Sequence, residues 1–217
     1  NDYSGVPDIT QLETKMYFYY MITRYIDAGY EAFHMGQAEM MMGYDNSNSA
    51  HWQTLLDKAR AYAKVNARRG VALFDCHVAT NSTGIKVDNN LVFDIQSAAM
   101  LPNETVDENG ALKAEVLHYT QDAISPIGKS AGGVHPLGFE AEENFTLVEF
   151  DNYGASEHPG VATPNDVYTW GFDDITWFAT QPEEYRNQFL KETAEYLSQN
   201  ELCLDSEGKQ QYFLQPT

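Results

Sequence analysis

Apolar runs that end in polar pairs recur along this chain. FTLVEFDNYG, residues 145–154, opens apolar and closes on Glu149, Asp151 and Asn152. EAFHMGQAE ends with Gln37 and Glu39, VALFDCH with Asp75 and His77, and LVFDIQ with Asp94 and Gln96. Successive side chains of a strand alternate between faces, so polar groups at i and i+2 share one face. Carboxylates held at the end of a buried strand are costly unless they are paired or used. The pattern therefore predicts strands at about 30–37, 71–78, 91–96 and 145–151 whose tips deliver polar groups to one site. A fifth strand is expected at about 167–172, within YTWGFDD.

Helical spacing fills the intervals. TKMYFYYMITRYIDA predicts a long helix, buried over much of its surface, entered through Asp8 or Thr10 with Glu13 at capping-box spacing. A second helix is expected from His51 or Trp52 to Arg69, with Leu55, Leu56, Ala59, Tyr62 and Ala63 on its apolar face. A last helix starts at Pro182, with Glu183 and Glu184 in its first turn and Tyr185, Phe189, Leu190, Ala194 and Leu197 on one face. The tail ELCLDSEGKQQYFLQPT has room for one more small element. Met40, Met41 and Met42 read as core filling.

Strands alternating with helices predict an α/β fold with a parallel sheet. Two architectures fit: a (β/α) barrel-like domain built from the carboxyl-side five strands of an eight-stranded barrel, or an open parallel α/β sheet. Polar ends on every strand favour the barrel, because an open doubly wound sheet concentrates its site at one switch point. The chain has 217 residues against about 250 for a closed eight-stranded barrel, so the first strands would be lacking. One domain over 1–217 is expected, interrupted at 98–144 by a long irregular insertion that could serve as an active-site flap. GKSAGG in that insertion lacks the GxxxxGK[ST] spacing of a phosphate loop.

A net charge of -19 repels phosphate backbones, which argues against nucleic-acid binding. No apolar run is long enough for a membrane span. NDYSGVPD carries no charged region leading into an apolar one, so no signal peptide is read there. Cys76 and Cys203 form no recognisable disulfide framework. Sequons at Asn81, Asn103 and Asn144 carry little weight without a compartment. The fourteen Tyr and three Trp suit sugar faces and core rims alike. His51, His118, His135 and His158 fall in predicted loops or caps and receive no role.

The succession GYEAFHMGQAEMM, a Trp-started helix ending in Arg-Arg, GVALFDCHV, LVEFDNYG and YTWGFDD resembles secreted bacterial glycoside-hydrolase barrels. That resemblance covers most of the chain at the level of architecture. It implies a hydrolase of extracellular or periplasmic setting, although the sequence fixes no compartment. In the large retaining clan the acid/base Glu ends the fourth strand and the nucleophile Glu ends the seventh. The matching positions here are Glu39 and Glu149. The clan's acid/base Glu commonly follows Asn, whereas Ala38 precedes Glu39 in this chain. Gln37, Asp75, His77, Asp94, Gln96, Asp151, Asn152 and Asp173 would then hold sugar hydroxyls, with Tyr153 and Trp170 stacking on a ring.

Two carboxyl groups about 5–5.5 Å apart give retention, and a wider pair gives inversion. The implied partner is a carbohydrate substrate, with no cofactor and no metal in the leading reading. A homo-oligomer or a further chain segment would cover an open barrel edge. A noncatalytic carbohydrate-binding protein on a degenerate barrel fits the same residues. So does a metal-dependent hydrolase using Asp75-x-His77 with His34, Glu39, Asp94 or Glu149. Counting along one unbroken strand puts His34 on the face opposite Gln37 and Glu39, which weighs against the metal reading.

Overall fold

The computed structural model describes residues 5–78, 84–100, 103–106, 112–115, 130–150, 178–179 and 181–215. The helices are α1 (Leu12–Asp27), α2 (Ala38–Met41), α3 (Ser49–Asn66) and α4 (Glu183–Gln199). The first strands are β1 (Ala32–His34), β2 (Leu73–His77), β3 (Lys86–Val87), β4 (Asn90–Leu91), β5 (Ile95–Met100), β6 (Asn103–Val106) and β7 (Leu112–Glu115). They are followed by β8 (Gly133–Val134), β9 (Glu140–Ala141), β10 (Phe145–Phe150) and β11 (Tyr212–Leu214).

A five-stranded parallel sheet, in the order β1-β2-β5-β10-β11, makes this an α/β fold. The chain divides into two compact units, Asn1–Ser97 with Lys129–Thr146 and Ala98–Gly128 with Leu147–Thr217.

In the first unit, α1 and α3 supply the core beneath β1 and β2. Ile22 and Ile26 of α1 and Trp52, Leu55, Leu56, Ala59 and Ala63 of α3 are buried with Phe74 and Cys76 of β2. The residues of α3 recur three and four apart, so one stripe of the helix meets the sheet. Each such large apolar side chain contributes about 1.5–3 kcal/mol by leaving water. Phe33 stacks on Phe74 with ring centroids 5.4 Å apart. The expected breadth of burial on α1 is not observed: Leu12, Met16, Tyr17 and Tyr20 are exposed, and only Ile22, Thr23 and Ile26 are buried. The helix is entered through Gln11 without a side-chain cap. Asp8 instead closes a turn by accepting from the Thr10 amide at 2.9 Å and its hydroxyl at 2.7 Å.

Part of the stretch expected to be irregular is regular. β3, β4, β8 and β9 form a small four-stranded sheet within the first unit. The reason lies at Gly132 and Gly133. A Cβ on Gly132 would meet the Glu142 carbonyl oxygen at 2.1 Å, and one on Gly133 the Asn89 oxygen at 2.5 Å. These glycines serve close backbone approach rather than looseness.

In the second unit, β6 and β7 pair antiparallel from Asn103↔Glu115 to Val106↔Leu112. α4 begins directly after Pro182 and buries Phe189, Thr193 and Leu197. β11 comes from the tail, and the Gln215 amide beyond it donates to the Val148 carbonyl at 2.8 Å. The strand expected at 167–172 lies outside the described residues. Cys76 and Cys203 are both buried and in no disulfide. Among the described residues, no helix is long and apolar enough to cross a membrane.

Candidate functional site

Register decides which polar groups meet. β1 and β2 are parallel, with His34 opposite Asp75. β2 and β5 are parallel, with Asp75 opposite Ile95, Cys76 opposite Gln96 and His77 opposite Ser97. Phe74 and Cys76 are buried in the helix-covered core. Alternation therefore sets Asp75, His77 and Ser97 on the opposite face, and His34 joins them from β1.

On that face the side chains form a cluster. His34 Nδ1 lies 2.7 Å from Asp75 Oδ2. Ser97 Oγ donates to the same carboxylate oxygen. The rings of His34 and His77 are 4.7 Å apart and nearly perpendicular, at 78°. The His34 side chain is 41% exposed and that of Asp75 is 13% exposed, so the cluster is open on the histidine side. A carboxylate accepting from one imidazole nitrogen fixes the ring's orientation and leaves the lone pair of the neutral ring on Nε2.

The chain past β1 does not continue as a strand. Gly36 turns it with φ +63°, while the Gly36 carbonyl still accepts from the His77 amide at 2.9 Å. Gln37 then stands exposed before α2, and Glu39 is buried within α2. The expected i, i+2 pairing of Gln37 and Glu39 on a strand is thus corrected. The turn cancels the parity argument that had set His34 apart. The position of α2 is held by Trp52, whose indole N–H donates to the Ala38 carbonyl at 3.2 Å. Burial pushes the Cys76 thiol well above its ordinary 9.0, and the charges of Asp75 and Glu39 add to the effect. A buried, protonated thiol of this kind is inert.

Asp94 and Gln96 stand on the helix-covered face, a second correction. Asp94 is fully buried, and its Oδ2 accepts from Arg60 Nη2 and from the Phe74 amide, each at 2.9 Å. Arg60 also donates to the Val92 carbonyl at 2.8 Å and lies over the Phe74 ring. Gln96 is 2% exposed and donates to Thr146 Oγ1 at 3.1 Å. These groups thus bond within the fold, with Asp94 Oδ1 and Arg60 Nε left without a hydrogen-bond partner.

His135 is likewise internal. Its Nδ1 accepts from the Leu137 amide at 3.1 Å, which leaves Nε2–H to donate to the Asp94 carbonyl at 2.9 Å.

Glu149, near the end of β10, is 9% exposed and alternates with the fully buried Thr146 and Val148. Asp151, Asn152, Tyr153, Trp170 and Asp173 lie outside the described residues. Ser97 had not been anticipated. Its only signal is the cross-strand register with His77, which no single strand displays.

A scan of family models and searches of curated proteins and of solved structures return no match to this chain.

Proposed function

We propose that this chain is a carbohydrate-active protein working as a glycoside hydrolase, with Glu39 as acid/base and Glu149 as nucleophile. The observation that carries the reading is the strand-end cluster of His34, Asp75, His77 and Ser97, with the buried Glu39 on the next short helix. Hydrogen-bonding groups at the carboxyl ends of parallel strands are where α/β folds bind polar ligands. The sheet order also follows the chain without reversal, as successive strands of a barrel wall do, whereas a doubly wound sheet reverses at its switch point. On this reading Gln37, Asp75 and His77 hold sugar hydroxyls, and Asp94 and Gln96 support the wall behind them.

The test is hydrolysis of a panel of polysaccharides and aryl glycosides, read as released reducing ends or phenol. The unmodified chain should turn over at least one of them. Glu39→Gln should lower the rate by about 10²–10⁴-fold, the usual contribution of a general acid. Glu149→Gln should abolish turnover while the circular dichroism spectrum stays unchanged. Full activity in Glu149→Gln removes that residue from the chemistry. Saturable sugar binding without turnover in the unmodified chain would favour the noncatalytic binding protein.

A further inference from the structure

The geometry points to a divalent transition-metal site on His34 and His77, with Asp75 as the carboxylate that orients His34. Three observations within the first unit converge on it. A ring nitrogen of His34 and one of His77 lie within 4.8 Å of each other. Two imidazole ligands on one tetrahedral ion, each about 2.0–2.1 Å from it, sit closer together than that, so a small side-chain rotation closes the pair. Asp75 Oδ2 takes the Nδ1 edge of His34 at 2.7 Å. Metal-binding histidines commonly donate their second ring nitrogen to a carboxylate, which fixes the tautomer and raises the basicity of the ligating one. Ser97 in turn donates to Asp75 from a nearly fully buried position, so the orienting carboxylate is itself held.

The chemistry of the donors selects the ion. Imidazole nitrogen suits Zn²⁺, Ni²⁺ and Cu²⁺, whereas Mg²⁺ and Ca²⁺ prefer all-oxygen shells. The two imidazoles supply two of the ion's ligands. The exposed side of His34 gives an ion direct entry from solvent. The sheet fixes the site's backbone, since His34, Asp75 and His77 sit on adjacent paired strands. This inference does not rest on the glycosidase reading, because metal binding is measured with no sugar present.

The experiment is titration of the full 217-residue chain with Zn²⁺ by calorimetry, and with Co²⁺ by visible absorption. One saturable equivalent is expected, with d–d bands on Co²⁺ loading. His34→Ala and His77→Ala should each remove it. Asp75→Asn keeps both imidazoles and should weaken binding by about 10–100-fold. Weak, non-saturating uptake by the acidic surface alone would overturn the inference. So would a saturable equivalent that survives the double histidine variant. Should the alanine variants fail to fold, the Co²⁺-loaded unmodified chain still decides. Imidazole ligation gives exchangeable, paramagnetically shifted ring N–H proton signals, and their absence overturns the site.

Discussion

Asp75 and Asp94 stand in the same local sequence, Phe-Asp followed by an apolar residue and a polar one, on neighbouring parallel strands. Their fates are opposite. Asp75 faces away from the helices and takes His34 and Ser97. Asp94 faces the helices and takes Arg60 and a backbone amide inside the core. The cause is a one-residue offset. Asp75 pairs with Ile95 rather than with Asp94, and a shift of one residue moves a side chain to the other face. Like short patterns therefore encode an open-face carboxylate on one strand and a buried ion pair on the next.

The sharpest way to break this comparison is Asp94→Ala. It would leave the Arg60 guanidinium, whose side chain is only 18% exposed, without its buried carboxylate, with Asp57 at 3.5 Å the carboxylate still paired. Removing one member of a buried pair costs about 3–5 kcal/mol, so urea unfolding should lose that much or collapse outright. A loss below about 1 kcal/mol would mean that Asp94 is not the core support described here. Asp75→Asn is the counterpart on the open face. Asn keeps an acceptor for Ser97, and the His34 partner is 41% exposed. The expected cost is under about 1 kcal/mol by the same measurement, with the loss appearing in metal affinity instead.

A third carboxylate, Glu31, meets arginines whose own side chains are largely exposed. Glu31 accepts from the Arg69 amide at 2.6 Å and pairs with its guanidinium. The amide first, and then the guanidinium, hold its carboxyl below the ordinary 4.5. A carboxyl with a lowered value in the folded state adds stability above its unfolded value and loses it as pH falls through the folded one. The stability gap between the unmodified chain and Glu31→Gln should therefore shrink as pH drops below 4.5, read from thermal melts across that range. A gap that stays constant into acid would detach Glu31 from the arginine contact.

Much of this was legible along the chain. α3 and β2 followed from helical spacing and from a short apolar run, and α4 from Pro182 with two acids behind it. Asp75 and His77 were legible as a pair because one strand contains both. Asp94 and Gln96 were misread because their face depends on pairing with another strand, which periodicity within a strand does not carry. Gln37 and Glu39 were misread for a local reason. β1 ends at His34, three residues before the expected end at 37, and the turn at Gly36 breaks the alternation. The order around Gly132 was hidden because glycine reads as a breaker, and only the packed carbonyl of Glu142 reveals it as a spacer.

The indole of Trp52 adds something no pocket inventory would contain. Through a single contact to Ala38, a fully enclosed ring on the long helix dictates where the acid of Glu39 resides. Damage to that ring would shift Glu39 without touching it, although Trp52 sits thirteen positions along the chain.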